Sequence, residues 1–154
     1  TLLGQALKTE GSVQLQLEEW AAAKDTLNQA LALFRQESAF AHECTALTQL
    51  IQLHLLQEDE EKITTYSENI WNLLNSGKLD MTTAEPIKAW WSCFLAFRAL
   101  GDAREVETIR IANQLLETQL ANIQDEPWRD KFLNQIPEHR ALACVARDLY
   151  ANLI

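Results

Sequence analysis

Apolar residues recur at helical spacing along most of this chain. Leu27, Ala30, Leu31 and Phe34 occupy positions i, i+3, i+4 and i+7, which share one face of a helix. The same spacing recurs in three further sets: Leu47, Leu50, Ile51 and His54; Trp90, Cys93, Phe94 and Phe97; Leu142, Val145, Ala146 and Leu149. No segment of comparable length alternates with a period of two. The pattern predicts an all-α protein.

Short polar or glycine-containing segments separate the helices. Gly101 and Asp102 form the clearest connection, because glycine adopts the left-handed conformation that ends many helices and aspartate caps the next one. Short connections make consecutive helices antiparallel neighbours. The predicted helices span about 2–16, 19–36, 39–57, 60–75, 84–100, 102–123, 126–135 and 138–153.

The resulting helical hairpins repeat along the chain. Aligning their connections superimposes Gly11, Ile51 and Phe94, which are 40 and 43 residues apart. The same alignment predicts equivalent packing positions in the second helix of each hairpin: Ala23, Leu27 and Ala30; Ile63, Ser67 and Ile70; Val106, Arg110 and Asn113. Residues 124–154 are then expected to cap the apolar end of the stack, as repeat arrays require. The expected domain is a single one over 1–154, with hairpins at about 2–36, 39–75 and 84–123.

The first hairpin resembles the tetratricopeptide repeat. The resemblance rests on Leu7-x-x-x-Gly11 and on Trp20-x-x-Ala23-x-x-x-Leu27-x-x-Ala30, where small and large apolar residues alternate. It implies a short right-handed solenoid of seven or eight helices, with a concave surface lined by the first helix of each hairpin. The spacing exceeds the roughly 34 residues of that family and approaches the 40–47 of HEAT and armadillo hairpins, so both labels stay open.

A second resemblance covers the tail. From Ile123 to Arg140 the chain reads I-x-D-x-x-x-R-x-x-F-L-x-x-I-P-E-H-R. This is similar to the closing segment of repeat regions in large bacterial signalling proteins with STAND or AAA-type ATPase modules. The resemblance implies a sensor or scaffold arm. Because the chain opens on Thr1 inside a helical segment, we expect it to be a piece of a longer protein.

Composition and charge narrow the possible partners. The chain has 154 residues, of which 47% are hydrophobic, which excludes intrinsic disorder. Its 13 basic and 22 acidic residues give a net charge of −9. Such a chain lacks the basic surface that nucleic acids and anionic membranes attract. No run of about 18 apolar residues occurs, so no membrane span is expected.

The cysteines predict a reducing compartment. Cys44, Cys93 and Cys144 are odd in number and widely spaced, unlike a disulfide framework or a metal clip. Each lies in an apolar helical stretch, where a thiol packs as a small hydrophobic group. We therefore expect a cytoplasmic protein.

No pattern typical of an enzyme, a metal site or a cofactor site occurs. His42, His54 and His139 form no HExxH motif, and His42 and Cys44 point to different faces of one helix. GxSxG and GxxxxGK motifs are absent. The acidic run at 58–61 is interpreted as a solvated helix start. We expect no catalytic residue, bound metal or cofactor.

Five tryptophans exceed ordinary usage. We assign Trp20, Trp71, Trp90 and Trp128 to packing, from periodicity or position in a hairpin. Trp91 differs, because the side chains of consecutive helix residues diverge by about 100° and Trp90 takes the inward face. Trp91 either packs against a neighbouring hairpin or stands in a binding groove.

These observations predict a non-enzymatic interaction or sensor module. Its partner would be a protein, a peptide or an upstream domain of the same chain. The alternative is a small-ligand receptor domain that regulates an attached ATPase; it would require an enclosed apolar pocket. By the tetratricopeptide resemblance, the expected partner-binding residues are Gln5, Lys8, Ser12, Thr45, Thr48, Gln52, Lys88, Trp91, Leu95 and Arg98.

Overall fold

The protein is all-α, as predicted. The computed structural model describes residues 1–80 and 85–151, with the backbone alone for residue 150, and in this part of the chain it contains no strand. The predicted helix start at 84 and helix end at 153 lie outside the described residues. The helices are α1 (Leu2–Gln16), α2 (Trp20–Gln36), α3 (Phe40–Leu56), α4 (Glu60–Leu74), α5 (Pro86–Leu100), α6 (Glu105–Asn122), α7 (Glu126–Asn134) and α8 (Pro137–Ala151).

The chain divides into two compact units. The N-terminal unit spans Thr1–Glu85 and contains α1 to α4, and the C-terminal unit spans Pro86–Ile154 and contains α5 to α8. Within the described residues, no helix is both long enough and apolar enough to cross a membrane.

Two glycines in the N-terminal unit allow close contact between α1 and α2. A Cβ atom on Gly4 would lie 2.7 Å from the Phe34 ring, and one on Gly11 would lie 2.7 Å from the Leu27 side chain. Gly4, near the start of α1, contacts Phe34, near the end of α2. Gly11, further along α1, contacts Leu27, which comes earlier in α2. The hairpin is therefore antiparallel.

Side-chain hydrogen bonds join the first hairpin to the second. Gln5 Nε2 lies 3.3 Å from His42 Nε2, and Tyr66 Oη donates to Asn28 Oδ1 over 2.9 Å. The first bond links α1 to α3 and the second links α4 to α2. The first hairpin thus contacts both helices of the second.

The predicted packing faces of this unit are buried. Ala23, Leu27 and Ala30 have no exposed surface, and neither does Ser67 in the second hairpin. Burial of Ser67 is compatible with its hydroxyl group because Oγ donates to the Thr64 carbonyl over 3.0 Å. The core also contains Phe34, Leu47, Leu50, Ile51, Leu53, Ile63 and Ile70.

Four helices end in the same left-handed turn. Glu18, Ser38, Glu58 and Gly101 have φ values of 60°, 54°, 53° and 66°. After each of them, the next backbone N–H donates to the carbonyl five residues earlier, as from Asp102 to Phe97 over 2.9 Å. This is the Schellman motif. Three of the four turns therefore place a residue other than glycine where glycine is favoured.

We expect Glu58→Gly to stabilise the protein. A left-handed conformation costs an L-residue about 1–2 kcal/mol, and glycine at position 58 removes this cost. Glycine also has more conformational freedom in the unfolded chain, which offsets part of the stabilisation. The free energy of unfolding, measured by urea denaturation, should rise by roughly 0.5–1 kcal/mol. Gly101→Glu is the reciprocal control, because Gly101 has φ +66° and open space around a Cβ; it should lower stability. A loss of stability in Glu58→Gly would contradict the prediction.

The predicted alignment of the third hairpin is wrong by three residues. It aligned Val106, Arg110 and Asn113 with the packing positions of the first hairpin, but Val106 is 58% exposed and Arg110 is also exposed. Ile109 and Leu116 are buried and, with Asn113, keep the same relative spacing.

A charged turn causes this shift. The Asp102 carboxylate accepts hydrogen bonds from the Arg104 backbone N–H over 2.9 Å and from its guanidinium group over 2.7 Å. These bonds hold the pKa of Asp102 below its usual value. Because Asp102 is satisfied inside the turn, α6 starts at Glu105 instead of near 102.

The last helix packs on α5, α6 and α7 of its unit. Its predicted apolar stripe is only partly buried: Leu142 and Ala146 are buried, while Val145 and Leu149 are half-buried. Cys144 is exposed, which corrects the expectation that every cysteine packs in an apolar environment. The reason is helical geometry, since Cys144 lies outside the i, i+3, i+4 stripe.

Trp128 also departs from the prediction. The sequence assigned it to packing, but it is 65% exposed. The short helix α7 has no buried residue, and its start is held by Asp125, whose carboxylate accepts the Trp128 backbone N–H over 3.0 Å. The exposed ring has the Lys131 ammonium group 5.1 Å from its centroid.

Candidate functional site

The ten predicted partner-binding residues fall into two sets, one in each unit. The N-terminal unit holds six, on α1 and α3, and the C-terminal unit holds four, all on α5. The first set is Gln5, Lys8, Ser12, Thr45, Thr48 and Gln52; the second is Lys88, Trp91, Leu95 and Arg98.

Several residues of the first set serve the contact between α1 and α3. Gln5 contacts His42, and the Ser12 hydroxyl accepts a hydrogen bond from the Gln49 amide. These side chains are occupied in holding two helices together. Lys8 is half-buried and Gln52 is exposed, so these two remain accessible from solvent.

The threonines of this set bond to their own helix. Thr48 is 5% exposed, and its hydroxyl donates to the Cys44 carbonyl over 3.0 Å. Thr48 thus faces the core and is removed from the predicted surface. Half-buried Thr45 donates likewise to the Ala41 carbonyl over 3.1 Å.

A buried histidine lies nearby in the N-terminal unit. His54 has no exposed surface, its ring stacks on Tyr66 with centroids 5.4 Å apart, and neither ring nitrogen has a hydrogen-bond partner among the described residues. The Asp59 carboxylate lies 3.6 Å from Nδ1. Burial lowers the pKa of His54; Asp59 opposes this effect, and Lys24 and Lys62 add to it. The helical pattern indicated the buried face but could not reveal the unbonded ring.

The three histidines occupy different places. His42 packs on Phe34 with ring centroids 5.1 Å apart, and His139 packs on Phe132 with centroids 4.4 Å apart. The structure, as far as it describes the chain, groups no three His, Cys, Asp or Glu side chains closely enough to hold a metal ion.

One residue of the second set, Arg98, lines a cavity inside the C-terminal unit. The cavity lies between α5, the start of α6 and the end of α8, and has a volume of about 260 Å³. It combines three apolar and three charged side chains: Phe94, Val145 and Leu149, and Arg98, Glu105 and Asp148.

Trp91 and Arg98 both contact Phe94, the buried aromatic residue in the cavity wall. The Trp91 ring lies 5.2 Å from the Phe94 ring, and the Arg98 guanidinium carbon lies 5.8 Å from it. Trp91 is half-buried, so one part of the indole packs within its own unit and another part is exposed. Half-buried Leu95 lies one helical turn from Trp91, whereas the Lys88 ammonium group lies 4.0 Å from the Glu138 carboxylate.

The charged groups that line the cavity form no ion pair within the described part of the chain. Among the described residues, no opposite charge lies within 4.0 Å of Arg98, Glu105 or Asp148. The cavity therefore presents one guanidinium group and two carboxylates beside an apolar wall. Sequence reasoning missed Glu105 and Asp148, because they come from segments that only the fold brings to Arg98.

A second cavity lies where α6 meets α7. Its volume is about 460 Å³, and its lining is mainly apolar: Ile123, Trp128, Lys131, Phe132, Gln135 and Ile136. The Arg129 guanidinium group supports this junction by donating to the Ile123 carbonyl over 2.7 Å. The sequence offered one signal for this cavity, the tryptophan at the start of the short tail helix.

Comparison with known proteins adds no relative: no protein-family model, curated protein or solved structure matches this chain.

Proposed function

We propose that this chain is a non-catalytic module that binds a protein or peptide through α5 of its C-terminal unit. The observation that carries the proposal is the cavity of about 260 Å³ that Arg98 lines and whose Phe94 wall contacts Trp91. It is smaller than the roughly 300–1,000 Å³ typical of small-molecule sites. Such a volume suits one anchoring side chain of a partner, and tryptophan and arginine are the residues enriched at such anchor points.

The second cavity supports the alternative, a small-ligand receptor domain. Its volume of about 460 Å³ and mainly apolar lining match a site for a small organic molecule. Its only charged lining residue is Lys131, so it offers fewer polar groups for recognition than the cavity at Arg98. We therefore rank partner binding first.

We also propose that the module is tetratricopeptide-like and belongs to a cytoplasmic bacterial signalling protein. The close contact of Gly11 with Leu27 supports the family label. So do the left-handed turns at Glu18, Glu58 and Gly101, which recur at the predicted spacing of 40 and 43 residues. The context rests on the resemblance of the tail, and it makes an upstream domain of the same chain one possible partner.

Peptide selection tests the binding proposal. A random peptide library displayed on phage is selected against the purified protein, and enriched peptides are titrated against three proteins: wild type, Trp91→Ala with Arg98→Ala, and the control Arg110→Ala with Gln114→Ala. The control residues are exposed on α6 and outside the cavity. Lys88 is left unchanged because it contacts Glu138.

We expect the α5 variant to bind enriched peptides at least tenfold more weakly, since an anchor residue contributes about 2 kcal/mol or more. The control should bind like wild type. Circular dichroism melting confirms that both variants fold. If no enriched peptide distinguishes the α5 variant from the control, the binding surface lies elsewhere.

A further inference from the structure

We infer that the cavity between α5, α6 and α8 receives a lysine or arginine side chain of the partner, while Arg98 binds a carboxylate beside it. This inference rests on the proposed function and specifies the chemistry of the partner. It follows from three properties of the cavity as the described residues form it: two carboxylates without a cationic partner, an apolar wall and one cation, Arg98.

The carboxylates favour a cationic anchor. Glu105 is half-buried and Asp148 is exposed, and neither pairs with a cation among the described residues. An apolar anchor would remove water from these carboxylates without replacing its hydrogen bonds, which is unfavourable. An acidic anchor would add like charge. A guanidinium or ammonium group instead forms charge-assisted hydrogen bonds with both carboxylates.

The apolar wall selects a long side chain. Phe94 is buried, and Val145 and Leu149 are half-buried beside it. Lysine and arginine carry methylene stems that pack on apolar surface while the charged head stays with polar groups. The volume of about 260 Å³ admits one such side chain. The apolar and the charged parts of the cavity are then both occupied by the same residue.

Arg98 adds a requirement for a nearby carboxylate. Its guanidinium group lies 5.8 Å from the Phe94 ring centre, and it has no acidic partner in the described residues. A carboxylate close to the basic anchor would pair with it and offset its repulsion of the anchor. That carboxylate comes from an aspartate or glutamate of the partner or from a chain terminus. The net charge of −9 further favours the approach of a basic segment.

Small blocked amino acids test this inference directly. The probes are N-acetyl-arginine amide, N-acetyl-arginine with its free carboxylate, N-acetyl-norleucine amide and N-acetyl-glutamate amide. Binding is followed through the methyl NMR signals of Val145 and Leu149, assigned by mutation. We expect N-acetyl-arginine to bind most tightly, its amide less tightly, and the norleucine and glutamate probes at least about tenfold more weakly than N-acetyl-arginine.

Two variants separate the role of the two carboxylates from the role of Arg98. Glu105→Gln with Asp148→Asn should weaken both arginine probes at least about tenfold. Arg98→Gln should remove the advantage of the free carboxylate while N-acetyl-arginine amide binds no more weakly than before. Glu107→Gln with Asp130→Asn is the control, because it changes the net charge equally at exposed sites outside the cavity.

Three results would overturn the inference: no signal change with either arginine probe, equal binding of the norleucine amide, or equal effects of the cavity and control variants. The source of the carboxylate is decided with peptides that carry an internal aspartate or a free C-terminus after the arginine. If enriched peptides depend on Trp91 and Arg98 but contain no basic residue, this inference fails and the proposed function stands. If none depends on them, the proposed function itself fails.

Discussion

Gly11→Leu is expected to destabilise the protein by about 1–3 kcal/mol, the usual cost of overpacking a core. A Cβ atom on Gly11 would lie 2.7 Å from both Cγ and Cδ2 of Leu27, and Leu27 has no exposed surface. The leucine cannot swing into solvent, so the two helices of the hairpin must separate. The better helix propensity of leucine, worth up to about 1 kcal/mol over glycine, offsets part of this cost.

Urea denaturation followed by circular dichroism measures the effect. Gln16→Leu is the matched control, because it adds the same side chain at an exposed position of α1. Its free energy of unfolding should stay within about 0.5 kcal/mol of wild type. If Gly11→Leu unfolds at the same urea concentration as the control, α1 and α2 do not pack as closely as the structure shows.

The stability of the protein is expected to fall as the pH drops below about 6.5, because of His54. Burial lowers the pKa of His54 in the folded state below the ordinary histidine value of about 6.5. Between the folded and unfolded pKa values, the unfolded chain binds a proton that the folded chain does not. The stabilisation is therefore complete above the unfolded pKa and is lost as the pH falls toward the folded one, by at most about 1.4 kcal/mol per pH unit.

The His54→Leu variant isolates this effect. Between neutral pH and pH values below 6.5, the unfolding free energy of this variant should decrease less than that of the wild type. It should also unfold at a higher urea concentration at neutral pH, because two buried nitrogens without hydrogen bonds are removed.

His42→Gln is the control for another histidine whose pKa is lowered in the folded state. Burial, Lys8 and the chain's amino terminus also lower the pKa of His42, while Glu37 opposes the shift. The single variants therefore divide the pH dependence between the two residues. An unchanged pH dependence in His54→Leu would show that its imidazole is not the group responsible.

The residues of α5 show how far the sequence leads toward the candidate site. Trp91 was singled out because its neighbour Trp90 occupies the inward face, and the structure places it half-buried against Phe94. The tetratricopeptide resemblance assigns Arg98 to the same stripe, and Arg98 lines the cavity. Thr48 was placed by the same kind of argument and is buried, because a helix with contacts on more than one side has a wider buried face than its main stripe.

The sequence by itself determined the all-α class, the approximate limits of most helices and the main buried faces of the first two hairpins. These properties depend on local spacing, since residues three or four apart share a helix face wherever the helix packs. The tertiary structure alone decided the left-handed turns at Glu18 and Glu58, where the polar residues carry no glycine signal. It also decided the late start of α6, which depends on bonds between Asp102 and Arg104.

The cavity is another feature that only the tertiary structure decided. Arg98 comes from α5, Glu105 from the start of α6, and Asp148 from α8, so no local pattern connects them. These three charges form one site only because packing holds them around the same apolar wall without pairing them to each other. Helical periodicity specifies which face of each helix turns inward, and the contacts between helices decide which exposed charges meet.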